Sequence, residues 1–312
     1  MSSRECAADR AVSQPMRRRA PSDPVETWRG AIVVALRDVT TELAGALDDE
    51  RRVHGLRRAG KLLRALALLA PPSLQPLARE TRDHADTLRR SLGHSRDAAV
   101  RRETFDALAR EMDEPGLDLR AMLETPGAKM DGAAMPDTLR ETFAALAGRW
   151  AACDLRDLRI TALVAMLAST YRRARKRRKA AQAGHMRDLH RWRRTIVDLD
   201  LQAGVFADHS PHLAQIGRRA HKLRDLLGRV HDIEALSDFL AQSGGADTEE
   251  LAAFEAMAAR ERKRLTQRAE SLGDQLLKRK TNDWSDEIVA LLYAAMRTAE
   301  AAAPQRDQPA SV

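Results

Sequence analysis

The residues of this 312-residue chain that could do chemistry are histidines and arginines in a motif it carries twice. Val53-His54-Gly55-Leu56-Arg57-Arg58 returns as Leu189-His190-Arg191-Trp192-Arg193-Arg194. A second block, Leu92-Gly93-His94-Ser95-Arg96-Asp97, returns as Leu227-Gly228-Arg229-Val230-His231-Asp232. His54 and His190 stand 136 positions apart, Gly93 and Gly228 stand 135 apart, and this nearly constant offset marks an internal duplication. On a helix, His54, Arg57, Arg58, Lys61 and Arg64 fall within one arc of about 120°. Val53, Leu56, Ala59, Leu63, Leu66 and Ala67 take the other side. One face is built for burial and the other for anions. Charged helix faces are ordinarily just solvated, but those mix signs and gain from Glu–Lys pairs four apart. Residues 51–64 hold Arg51, Arg52, Arg57, Arg58, Lys61 and Arg64 and no acid.

The elements that position these residues read as helices almost throughout. Trp28, Ile32, Leu36, Val39, Leu43 and Leu47 recur at spacings of three and four, the mark of a core helix. The His54 helix stops at Pro71-Pro72, and helices follow over 73–93 and 95–112. Residues 113–136, with Pro115, Gly116, Pro126, Gly127, Gly132 and Pro136, read as a long loop and as a domain boundary. One long helix is expected from Asp137 to Lys179, then the His190 helix, then helices over 211–228, 231–242, 247–280 and 284–302. No run of β-branched residues alternates with polar ones, so the expectation is all-α. Residues 1–24 and 303–312 have the composition of disordered ends, which leaves two helical units, 25–136 and 137–302.

Composition agrees with that division. The formal net charge is +8, 31% of residues are charged and only 4% are aromatic. The length suits two units of about 150 residues. Cys6 and Cys153 make neither a disulfide framework nor a zinc motif, and no apolar run reaches the roughly 20 residues of a membrane span. A cytoplasmic protein with no membrane partner is expected.

The two copies differ. Val197 and Asp200 stand where the first copy has Lys61 and Arg64, so the second anion face ends early, and Asp200 would set a like charge beside a bound anion. Compensation comes from residues 171–194, where eleven Arg and Lys face one acid, Asp188. In the second block, Arg89 and Arg96 are seven apart, as are Arg224 and His231, which is two turns if the helix runs through the glycine. Asp97 and Asp232 read as groups that orient or cap. The candidate anion-binding set is therefore His54, Arg57, Arg58, Lys61, Arg64, Arg89, Arg96, Arg172, Arg173, Arg175, Arg187, His190, Arg193, Arg194, Lys222, Arg224 and His231.

The chain resembles the CHAD family, the conserved-histidine α-helical domain. The resemblance rests on the His54-x-x-Arg57 helix with Lys61 and Arg64, the turn Leu92–Asp97, the basic segment from Tyr171-Arg172-Arg173, and the second motif at His190, and it spans residues 25–300. It implies two helical bundles related by a pseudo-twofold axis, with basic helices facing a shared groove. It further implies inorganic polyphosphate as the ligand, association with polyphosphate granules and their other proteins, and no cofactor. Some such proteins add a triphosphate-tunnel domain, for which no room is expected here. The chemistry fits: polyphosphate condenses counterions that a cationic protein releases, and arginine takes two phosphate oxygens through its fork. Histidines beside phosphate should gain protons, so binding should strengthen as pH falls.

Two other functions compete. His231-Asp232 is the dipeptide of HD-type metal phosphohydrolases, with His209, His212 and His221 nearby in sequence. The internal copy opposes this, because its equivalent pair is Arg96-Asp97 and guanidinium does not ligate metals. Nucleic-acid binding suits the charge, but single-strand binders stack bases on aromatic rings. Trp192, alone among the basic residues of its helix, falls on the apolar side. Weak non-specific nucleic-acid binding is expected through phosphate contacts. With no nucleophile–base pair, Gly-rich phosphate loop or paired carboxylates on the basic face, neither catalytic nor metal-ligating residues are assigned.

Overall fold

The computed structural model describes residues 23–45, 50–92, 95–110, 117–124, 137–243 and 248–302. Among them all regular structure is helical, as the periodicity predicts: α1 (Pro24–Glu42), α2 (Glu50–Ala67), α3 (Gln75–Ser91), α4 (Ser95–Ala109), α5 (Leu117–Glu124), α6 (Asp137–Ala152), α7 (Ile160–Ala181), α8 (Met186–Val205), α9 (Pro211–Ser243), α10 (Thr248–Leu277) and α11 (Thr281–Ala302). Short 3-10 turns, Pro72–Leu74 and Ala207–His209, precede α3 and α9.

α1 shows how local signals set an element. The Asp23 carboxylate accepts from the Val25 N–H at 2.9 Å and Pro24 opens the first turn. Trp28, Ile32, Leu36 and Val39 then bury one stripe. The Trp28 indole donates to the Leu66 carbonyl of α2 at 2.9 Å and meets Trp150 of α6 edge-on, centroids 5.5 Å apart. Trp150 in turn donates to Thr81 Oγ1 of α3 at 2.9 Å. Thus α1, α2, α3 and α6 pack side by side. Beyond them α8 lies against α2, α7 and α9, while α10 packs on α9 and α11 on α7. Tyr171 of α7 stacks on Trp284 of α11 at 4.3 Å. α4 leaves α3 and packs on α9, where Phe105 stacks on Phe254 of α10 at 5.7 Å. One apolar core runs through the whole assembly.

Three element boundaries differ from the sequence expectation. The expected helix 137–179 breaks at 153–159, where Asp154 Oδ1 accepts from the Arg156 N–H at 3.0 Å and diverts the backbone into a turn. The expected loop 113–136 contains α5, held by the buried pair Leu119 and Leu123, four residues apart on one face. Residues 111–116 and 125–136 lie outside the described residues. Finally, α9 does not end at Gly228. An interior glycine costs a helix about 1 kcal/mol, and burial of Leu227, Val230 and Ile233 around it outweighs that.

Candidate functional site

α2 presents the two faces its sequence specifies: Val53, Leu56, Leu63, Leu66 and Ala67 are buried, His54 and Arg58 are exposed, and Arg57, Lys61 and Arg64 are half-buried between them. Arg57 donates to the Leu92 carbonyl at 2.6 Å, placing a cation on the C-terminal end of α3. Arg89 of α3 lies across Gly60, where a Cβ would meet its Cγ at 3.1 Å, and pairs with Asp86 at 3.0 Å. The glycine keeps α2 and α3 close enough for their cations to share one surface.

Arg64 reaches out of α2 to Asp198 of α8 at 2.7 Å, with only 14% and 11% of the two side chains exposed. Burial pushes the Asp198 carboxyl up, opposed by the positive fields of Arg64, Arg173, Arg194 and Arg89. Arg64 alone among these is in contact with the carboxylate; Arg173, Arg194 and Arg89, from α7, α8 and α3, act on it through their fields. Arg173 and Arg194 are exposed, and Arg173 also donates to Thr170 Oγ1 at 3.0 Å. The local balance is positive, and a guanidinium is a group able to take two oxygens of an oxyanion at a time.

A second cluster forms where α8 meets α9. The rings of His190 and His231 lie 4.9 Å apart. Burial, then His231, Arg193 and Arg194, hold His190 below the ordinary histidine range. The Arg193 guanidinium passes within 3.8 Å of where a Cβ on Gly228 would stand, an ordinary van der Waals distance, so this arginine packs over Gly228 of α9.

The third arrangement corrects an expectation. Asp200 is not an open, unpaired charge on the anion face. It is 7% exposed, accepts from Arg224 of α9 at 2.6 Å, and lies 3.5 Å from His221. Burial raises its pKa, against Arg224 and His221, which lower it.

The remaining candidates are more scattered. Arg172, Arg187 and Lys222 are exposed and Arg175 is half-buried beside Tyr171. Arg96 begins α4, and its side chain lies outside the described residues. The basic run 171–194 is not one surface, since Arg178 pairs with Asp274 at 2.5 Å and Arg191 with Asp188 at 3.4 Å. Trp192 is fully buried against Gly273. Asp232 lines a cavity of about 290 Å³ with Arg229 and the buried Glu261.

Sequence reasoning missed Asp198 and the pairing of Asp200. The available signal was two acids flanking Leu199 in a helix whose core positions, Ile196, Leu199 and Ala203, surround them. Buried Gln202, which donates to the Ala65 carbonyl of α2 at 2.7 Å, carried the same signal. Among the described residues no three His, Cys, Asp or Glu side chains are placed to hold a metal ion, and no helix is long and apolar enough to cross a membrane.

Neither a curated protein nor a solved structure matches the chain. A family model described as the CHAD domain matches residues 31–241, from within α1 to the last turn of α9, and so takes in Arg64–Asp198, His190–His231 and Asp200–Arg224. The chain belongs to the CHAD-domain family.

Proposed function

We propose that this protein binds inorganic polyphosphate through the basic surface of α2, α3, α7, α8 and α9, without catalysing a reaction, and that it acts on polyphosphate granules. The observation that carries the reading is the nearly buried carboxylate of Asp198, paired with Arg64 of α2 at 2.7 Å and lying in the positive fields of Arg173, Arg194 and Arg89. A merely solvated surface would scatter its cations among acids. Here arginines of α2, α3, α7 and α8 all bear electrostatically on one carboxylate, and membership of the CHAD-domain family is consistent with a polyphosphate-related role.

The duplication belongs to the same proposal. In both copies the motif arginine meets the Leu-Gly block: Arg57 reaches Leu92, and Arg193 lies against Gly228. The order α1, α2, 3-10 turn, α3 also returns as α7, α8, 3-10 turn, α9. In this reading α6 belongs with α1, the boundary between units falls at 153–159 instead of 113–136, and a basic groove runs along the α2–α8 seam, on the pseudo-twofold axis.

The experiment is a titration with long-chain polyphosphate, tripolyphosphate and duplex DNA of matched charge at two salt concentrations. Long-chain polyphosphate should bind tightest, and DNA should bind weakly and fade first as salt rises. Equal affinity for DNA would favour a general polyanion binder.

A further inference from the structure

α8 carries two acids that a purely cationic surface has no use for. Asp198 and Asp200 are each 7% exposed. Two residues apart on a helix, they point about 200° apart and serve different neighbours: Asp198 meets Arg64 of α2 at 2.7 Å, and Asp200 meets Arg224 of α9 at 2.6 Å. On charge alone both are harmful, because a carboxylate beside a phosphate site repels the ligand. Each also loses hydration on burial, which is the largest influence on its proton affinity. Neutral residues at these positions would raise the positive potential and avoid that loss.

What carboxylates supply instead is placement. Arginine is long and rich in rotamers, and a ligand that must order it first loses affinity to that ordering. A buried acid in hydrogen-bond contact holds the guanidinium before the ligand arrives. We propose that Asp198 and Asp200 are positioning residues for anion binding, fixing Arg64 and Arg224 at the two seams of α8 so that Arg89, Arg173 and Arg194 meet phosphate against neighbours already in place. This deepens the anion-binding reading of the same surface and rests on it. The seam itself does not depend on Asp198 alone, since Gln202 ties α8 to the Ala65 carbonyl independently.

The test gives opposite signs for the two views. Asp198→Asn and Asp200→Asn each raise the net charge by one, so if potential alone governs binding both should bind long-chain polyphosphate and tripolyphosphate more tightly, with steeper salt dependence. Positioning predicts about tenfold weaker binding, by analogy with the partners that orient metal ligands, with an unchanged salt slope. Asp198→Glu, which keeps the charge, should recover part of the loss. Should Asp198→Asn lose its helical circular dichroism, the exchange Arg64→Asp with Asp198→Arg keeps an ion pair across the seam and leaves net charge unchanged. Positioning predicts that this folded exchange variant still binds about tenfold more weakly. Asn variants as tight as the wild type, or an exchange variant that binds normally, overturn the positioning role and leave anion binding standing. A wild type that binds neither polyphosphate overturns the reading beneath it.

Discussion

The His190 ring on α8 and the His231 ring on α9 lie 4.9 Å apart, their planes tilted by 59°. His190 does not gain a proton easily in that position, because burial and the neighbouring His231, Arg193 and Arg194 hold it below the ordinary histidine range. A phosphate brought to this corner reverses the balance, since negative charge favours imidazolium.

Binding should therefore take up protons, and affinity should rise as pH falls from the pKa of the bound state toward the depressed pKa of the free one. A rise of about one unit on binding corresponds to about a tenfold gain in affinity at the acid end of that window. His190→Gln should flatten the gain between pH 8 and pH 6 while leaving helical circular dichroism unchanged. A wild type with flat affinity across that range would assign the histidines to packing.

Replacing Asp200 with Arg, which on the sequence alone looked like an added cation for the anion face, should instead damage the protein. It removes the buried one of two carboxylate partners of Arg224, leaving only the exposed Asp225, and sets two guanidinium groups together in a site where Asp200 is 7% exposed. Breaking a buried pair costs about 3–5 kcal/mol, and Arg224 retains 29% exposure, so the lower end applies. Thermal unfolding should move down by several degrees, and an unchanged midpoint would show that Arg224 finds another partner.

Gly273 on α10 should tolerate no side chain. A Cβ there would stand 2.6 Å from the Trp192 ring, which is fully buried, and 3.1 Å from Arg178 Cδ. Overpacking of this kind costs about 1–3 kcal/mol, against the few tenths to 1 kcal/mol that alanine returns in helix propensity. Denaturant titration of Gly273→Ala should show net destabilisation, with polyphosphate affinity at 25 °C little changed.

Much of this was legible beforehand because it rests on local pattern. The stripe from Trp28 to Val39 and the two faces of α2 follow from a period of 3.6 residues, and both appear in the structure. The CHAD resemblance came from four short motifs in order, and the family match spans them. What was hidden depends on partners distant in sequence. Asp198 makes sense only beside Arg64, 134 residues away, and the hydrogen bond from Arg57 to the Leu92 carbonyl depends on how α3 packs on α2. Gly228 looked like a helix stop, because the buried neighbours Leu227, Val230 and Ile233 that carry the helix through it depend on packing. The break after Ala152 was hidden for another reason: apolar spacing continues through Leu155 and Leu158, while the turn is held by the Asp154 carboxylate, which accepts from the Arg156 backbone N–H, and by the Leu158 N–H donating to the Leu155 carbonyl.

The central claim is that anion binding belongs to a formed site and not to net charge. Arg173 and Arg194 are exposed, so reversing both to Glu should leave the fold intact, while reversing Arg17 and Arg18 in the N-terminal segment changes net charge equally. The direct measurement is the affinity of the two double variants for long-chain polyphosphate at about 0.05 M and 0.2 M salt. Arg173→Glu with Arg194→Glu should lose on the order of a hundredfold at the lower salt and show a shallower salt slope, and Arg17→Glu with Arg18→Glu should lose less than about threefold. Equal losses from the two variants would contradict the account.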